Sequence, residues 1–299
     1  MEYEIKELSE EEVDLISKKL EEYLEAAVPS EPGTPEQEEI ILCIKDDEEK
    51  LIAGGIVNIC MWGRALLSTL WTDEKYRGEG LGSMILREAE LLVSEKGCKL
   101  ITLATIDYMA KPFYEKHGYK VFTVNKDFPK GHEGWSMMKW LDEGITDYVP
   151  SHNSAASTYK VEVGGKEEAR RIHGELTRFN EINVTSEHDE IMINKKIVDD
   201  EGNLIAGISG MASDWNAYCI DVIWVEEAYR KRGLGSYLLK EAEEEAKKYG
   251  TYIMLTAAGD WNVGFFEKNG YSIRGTLENY PKDHRCFELE KRVSGEFHL

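Results

Sequence analysis

Cysteine is scarce in the sequence, and what there is does not pair. Cys43, Cys60, Cys98, Cys219 and Cys286 are odd in number and include no CxxC, so neither a disulfide framework nor a zinc site is expected, and a reducing compartment is. Long apolar runs are also missing, since no stretch approaches the length of a membrane span. The opening, MEYEIKELSEEE, is acidic where a signal peptide would be basic and then apolar. A soluble, cytoplasmic chain with no metal and no membrane partner is the expectation. Positive charge is the third shortage. Lys and Arg number 36 against 57 Asp and Glu, leaving a formal charge of -21, which repels nucleic acid and anionic membrane and draws cationic small molecules, although solubility alone would be served by the same charge.

What is present is a repeat. EKYRGEGLGSMILREAE runs from Glu74 and EAYRKRGLGSYLLKEAE from Glu227, 153 positions later. LIAG at 51 and 204 keeps the same offset, and EKHGY against EKNGY gives 152. With 299 residues and 42% hydrophobic content, the chain is long and apolar enough for two cores. Each half predicts a short strand, a helix, three β-rich segments, the glycine turn, an amphipathic helix, a strand, a shorter helix and two final strands. Ser9 with Glu12 forms a capping box for the first helix, on which Val13, Ile16, Leu20 and Leu24 share a face. The fold class is therefore α/β, or α+β with a mixed, mostly antiparallel central sheet flanked by helices. Domains are expected at 1–143 and 159–299, joined by a linker at 144–158 that is rich in small and polar residues.

The glycine turn leads from a central strand into the main helix of each half. Such a turn gathers backbone N–H groups and the positive end of the helix dipole at one point, where an anion belongs. The pattern is not the dinucleotide fingerprint, because glycines fall at 78, 80 and 82 with no third glycine three residues on, and no GK[ST] follows to make a P-loop.

RxxGxG after a strand, at Arg77–Gly82 and Arg230–Gly235, followed by FYEKHGY or FFEKNGY and by DFPKGH or NYPKDH, resembles the GNAT superfamily of acyl-CoA-dependent N-acyltransferases over nearly the whole of each half. The resemblance implies two tandem GNAT-like domains whose turn amides grip the pyrophosphate of coenzyme A. The turns comprise Arg77, Gly78, Glu79, Gly80, Leu81, Gly82 and Ser83 in the first half, and Arg230, Lys231, Arg232, Gly233, Leu234, Gly235 and Ser236 in the second. It implies pantetheine pairing along Leu70, Trp71 and Thr72, and along Ile223, Trp224 and Val225, with the two tryptophans also suited to the core. Asp107 stands where many relatives carry an asparagine to the pantetheine, or else caps the helix that follows.

Acetyl transfer needs a neutral amine, a polarised thioester carbonyl and a proton for the departing thiolate. By the resemblance Tyr114 donates that proton, a feasible step for a phenol of ordinary pKa about 10, unless it only packs beneath the cofactor; Phe266 stands there in the second half. Strand alternation sets Ser68 beside Leu66 and Leu70, and the matching residue is Asp221, a carboxylate able to serve as base. The first half is thus expected to be catalytic and the second to have degenerated, the alternative being that both halves work with deprotonation left to solvent. His132 and His284 recur in the last loop, as substrate contacts or as turn residues bonding backbone. The expected activity is transfer from acetyl-CoA to a primary amine of a small, cationic molecule. Protein N-acetylation and a non-catalytic acyl-CoA sensor or scaffold are the alternatives, and self-association into a homodimer is compatible with either.

Overall fold

The computed structural model describes residues 4–148, 155–184 and 188–293. In chain order the first series is β1 (Ile5–Glu7), α1 (Glu10–Ala27), β2 (Glu38–Lys45), β3 (Leu51–Cys60), β4 (Arg64–Thr72), α2 (Leu81–Glu95), β5 (Leu100–Ile106), α3 (Lys111–Lys116), β6 (Lys120–Lys126) and β7 (Glu133–Trp140). The second is β8 (Glu162–Val163), α4 (Lys166–Asn183), β9 (Ile191–Val198), β10 (Leu204–Ala212), β11 (Ala217–Val225), α5 (Leu234–Lys247), β12 (Ile253–Gly259), α6 (Val263–Lys268), β13 (Ser272–Glu278) and β14 (Arg285–Arg292). The expected order is therefore met in both halves. Ser9 and Glu12 form the expected reciprocal cap on α1, each side chain accepting from the other's amide.

Two compact units result, one of residues 30–185 and the other of residues 1–29 with 186–299. This division differs from 1–143 and 159–299, because the leading strand and helix of each repeat are exchanged. β1 pairs with β9, Ile5 opposite Ile197, and β8 pairs with β2, Leu42 opposite Val163. Residues 144–148 are likewise not a free linker. Thr146 is buried, and Tyr148 donates to the Glu79 carbonyl at 3.5 Å; positions 149–154 of the expected linker lie outside the described residues.

Within the N-terminal unit the strands run β6-β7-β5-β4-β3-β2-β8, and within the C-terminal unit β1-β9-β10-β11-β12-β14-β13. Neighbours are antiparallel except β4 with β5 and β11 with β12. One face of the N-terminal sheet is covered by α2, whose Ile85, Ala89 and Val93 pack with Ile52, Leu67, Ile101 and Met137. The other is covered by α4, whose Ile172 joins Ile41, Cys43, Leu51 and Ile56. Gly54 permits that second contact, since a Cβ there would lie 2.3 Å from Ile172 Cδ1. Gly207 plays the same part opposite Ile16 of α1, with a Cβ separation of 3.1 Å.

Ile16 and Ile172 are both 0% exposed. Ile172→Ala is expected to cost the N-terminal unit about 2–5 kcal/mol, by lost transfer energy plus a cavity that a sheet cannot close. Urea unfolding followed by tryptophan fluorescence should show an earlier transition; an unchanged midpoint would mean that α4 contributes nothing to this core.

Beneath α2 the carboxylate of Glu90, 0% exposed, accepts from Lys139 Nζ at 2.8 Å, Tyr119 Oη at 3.0 Å, and the amide and hydroxyl of Thr146 at 2.5 and 2.8 Å. The second unit repeats the pair as Glu243 and Lys291 at 2.7 Å. Among the described residues no helix is long and apolar enough to cross a membrane.

Candidate active site

The site of each unit begins where two parallel neighbours part. β4 pairs with β5 only from Arg64–Leu67 against Leu100–Leu103, and β11 with β12 only from Ala217–Cys219 against Ile253–Leu255. Beyond those pairs Leu70, Trp71 and Thr72, and likewise Ile223, Trp224 and Val225, have no strand partner on that side among the described residues. Their backbone is left to pair with something extended.

A bulge marks the start of each opening. Ile56 faces Thr69 and Val57 faces Leu67, so Ser68 is skipped; Ser209 faces Val222 and Gly210 faces Ile220, so Asp221 is skipped. The matching of Ser68 with Asp221 is thus structural as well as sequential. Ser68 is tied down, donating to the Ile56 carbonyl at 3.2 Å and accepting from Asn58 Nδ2 at 3.1 Å. Asp221 keeps solvent access, yet burial pushes its carboxyl above the ordinary carboxylate range, the direction a carboxylate needs to work as a base near neutrality.

The glycine turn follows at the end of the free edge. Gly80 and Gly233 are the N-caps of α2 and α5, with φ of 95° and 86° and no side chain satisfying the first helical amides. Those bare N–H groups are what an anion would take up. Lys231 holds a φ of 61° where Gly78 has 83°, so one repeat tolerates a left-handed lysine where the other has glycine. A Cβ at Gly78 or Gly233 would meet open space, whereas one at Gly80 would fall 1.6 Å from Tyr148 Oη.

The arginines of the two turns reach back rather than outward. Arg77 Nε donates to the Thr72 carbonyl at 3.2 Å and Arg230 Nε to the Val225 carbonyl at 2.9 Å. Each guanidinium also lies over an aromatic ring of the exchanged helix, Arg77 over Phe179 at 5.2 Å and Arg230 over Tyr23 at 4.9 Å. Arg230 also covers Trp224 at 4.8 Å, and Arg232 donates to the Ala228 carbonyl at 2.8 Å. Sequence reasoning missed Phe179 and Tyr23; the available signal was an aromatic at the same place in both leading helices.

The other expected contacts divide. Ser83 is turned from the opening, its hydroxyl 2.9 Å from His117 Nε2 and its amide bonded to the Gly80 carbonyl at 3.0 Å, while Ser236 is exposed. Trp71 packs with the α4 cluster and Trp224 with the α1 cluster. Asp107 does not cap α3, whose N-cap is Ala110 without a side-chain bond. Its carboxylate is taken by His132 Nδ1 at 2.8 Å and the Glu133 amide at 3.1 Å. Burial pushes that carboxyl up, and the bonds from Glu133 and His132 together bring it below its ordinary value.

Tyr114 lies in α3, buried, its ring meeting Phe113 and Tyr119 edge to face at 5.2 and 5.7 Å. Burial holds its phenol well above the ordinary range, so the proton stays on oxygen throughout the working range. Phe266 repeats the packing against Phe265 and Tyr271 at 5.1 and 5.5 Å. Among the described residues no three His, Cys, Asp or Glu side chains are gathered as a metal would require.

A split sheet, a bulge at the split and an uncapped glycine turn beside it define one transferase-type domain, built twice. Comparison with known families agrees. Residues 37–121 match the acetyltransferase (GNAT) domain and residues 156–271 the acetyltransferase (GNAT) family. Blasticidin-S acetyltransferase of Streptomyces morookaense is 34% identical over 91 residues, 30% of this chain and 67% of that protein. Beta-lysine N(6)-acetyltransferase of Methanococcus maripaludis is 21% identical over 232 residues, 68% of this chain and 84% of that protein. A solved acetyltransferase from Bacillus cereus is 33% identical, covering 44% of this chain and 94% of its own, with a TM-score of 0.42. The chain belongs to the GNAT acetyltransferases, with two such domains in tandem. It is an acyl-CoA-dependent N-acyltransferase.

Proposed function

We propose that the protein moves an acetyl group directly from acetyl-CoA to a primary amine of a small, cationic molecule. The observation that carries this reading is the pairing, in both units, of an uncapped glycine turn with a strand edge left open beside it. The turn amides suit a diphosphate, and Gly78 and Gly233 leave the space for one to approach. Edge residues Leu70–Thr72 and Ile223–Val225 would pair with the amides of the pantetheine arm. Acetyl-CoA supplies the activated acyl group; the chain's residues orient it and handle protons.

Names of the relatives supply acceptors to try, blasticidin S and the N6 amine of β-lysine. A formal charge of -21 favours a cationic acceptor and raises its local concentration. The N-terminal unit holds a phenol at the α3 position, so it is assigned the transfer. In the C-terminal unit Asp221 offers a base, but Phe266 has no hydroxyl to set against the sulfur.

Calorimetry with acetyl-CoA, followed by thiol release with β-lysine, blasticidin S and spermidine, tests the reading. Binding with thiol release on at least one amine is expected, and Gly80→Val, which brings a side chain against Tyr148 at a left-handed position, should abolish release and leave only the binding that the C-terminal turn provides. Binding with no release on any amine would replace the transferase by an acyl-CoA sensor.

A further inference from the structure

Each unit contains an Asp–His pair built in the same way, outside the glycine turn and the bulge. His132 Nδ1 lies 2.8 Å from Asp107 Oδ1, and Asp107 Oδ2 accepts the Glu133 amide at 3.1 Å. In the second unit His284 Nδ1 lies 3.1 Å from Asp260 Oδ1, and Asp260 Oδ2 accepts the Arg285 amide at 3.3 Å. The loop that carries each histidine is also fixed identically. Phe128 and Tyr280 donate their amides to the His132 and His284 carbonyls at 3.0 Å each, while His132 and His284 donate theirs to the Pro129 and Pro281 carbonyls at 2.8 and 2.9 Å. A side-chain oxygen closes each loop, Asp127 accepting from the Gly131 amide at 2.7 Å and Asn279 from the Asp283 amide at 2.8 Å. An aromatic ring stands edge-on to each imidazole, Tyr108 at 5.1 Å and Trp261 at 5.4 Å.

Such a frame decides the tautomer. With a carboxylate accepting at Nδ1, the neutral ring carries its proton there and leaves Nε2 bare, able to take a proton. The carboxylate also steadies the ring once it is positively charged.

Position decides the use. Asp107 follows the last residue of β5, the strand that parts from β4, so the pair stands at the end of the opening. In the N-terminal unit an aromatic row links it to the glycine turn: Arg77 lies over Phe179 at 5.2 Å, Phe179 meets Tyr108 at 6.3 Å, and Tyr108 meets His132 at 5.1 Å. Asp107 bonds to His132, Tyr108 stands edge-on to it, and the Glu133 amide holds the other oxygen of Asp107.

We propose that His132, held by Asp107, is the base that takes the proton from the acceptor ammonium, and that His284 with Asp260 repeats the device in the C-terminal unit. The proposal rests on the transferase reading above. An arriving ammonium gives one proton to His132 Nε2. The neutral amine nitrogen then bonds to the acyl carbon as the carbon–sulfur bond breaks, and its second proton goes to the sulfur, leaving an amide, a thiol and one proton on the imidazole.

The test uses the full chain. His132→Asn is the chosen variant because its amide nitrogen can occupy the place of Nδ1 and keep the bond to Asp107, so folding is preserved while the base is lost. With the panel amine that the unaltered chain turns over fastest, kcat/KM is expected to fall about 10²-fold, with coenzyme A affinity by calorimetry unchanged. In the unaltered chain the rate should level off as pH rises, because the protein supplies the base; His132→Asn/His284→Asn should lose that plateau, its rate rising with hydroxide throughout. Nitrogen-15 spectra of histidine-labelled protein should show His132 protonated at Nδ1 and bare at Nε2, and Asp107→Ala should erase that preference. Turnover by the double variant with the plateau intact overturns the dyad while leaving the transferase standing. Failure of the unaltered chain to turn over any amine overturns both.

Discussion

Tyr114→Phe is expected to lower kcat by about 10²- to 10³-fold with almost no change in melting temperature. The ring is already accounted for as packing, because Phe266 fills the same place in the second unit between Phe265 and Tyr271. Only the hydroxyl is lost. Burial keeps that phenol protonated, so complete transfer to a thiolate whose conjugate acid is near about 8.5 would run uphill. The expected role is therefore a hydrogen bond that strengthens as charge grows on sulfur, with the proton itself arriving from the amine. Steady-state kinetics beside a thermal melt makes the check. An unchanged kcat would reduce Tyr114 to a core residue, and a collapsed melt would show that the hydroxyl is structural.

Glu90→Ala is expected to be the most damaging single change to stability, about 3–5 kcal/mol. Its carboxylate is the common acceptor for Lys139, Tyr119 and Thr146, and both Glu90 and Lys139 are buried, at 0% and 7% exposure. Removing the acceptor strands an ammonium in the core and frees the Thr146 amide that ties residues 144–148 to α2. Guanidinium unfolding should show the loss in the transition of the N-terminal unit. Glu90→Leu combined with Lys139→Met should recover much of it, since both charges then leave together; a double variant as weak as the single would locate the cost in shape rather than charge.

The order of elements was legible because local signals are strong in each half. Ser9 and Glu12 announce α1, β-rich runs between charged or glycine-containing turns announce β2 to β4, and Gly80 and Gly233 announce α2 and α5. Pairing of strands across distance was not legible. β1 and β8 are short and similar, so nothing local says that Ile5 lies opposite Ile197 and Val163 opposite Leu42. The cue lay in contact, where Gly54 makes room for Ile172. The partner of Asp107 was hidden for a related reason. Read alone, it suits a helix cap or a cofactor contact, and its bond to His132 crosses 25 positions. Repetition was the readable trace, for Asp260 and His284 recur in the same order.

The exchange of β1 and α1 for β8 and α4 bears on how the gene can be divided. Pieces spanning 1–148 and 155–299, produced singly, would each pair a sheet with a helix shaped for the other. Each would present the seat of Ile16 or Ile172 bare, and insolubility is the natural fate of such a half. Produced together, the pieces should find one another and restore turnover. A split of this kind would make the enzyme a complementation reporter without any engineered interface.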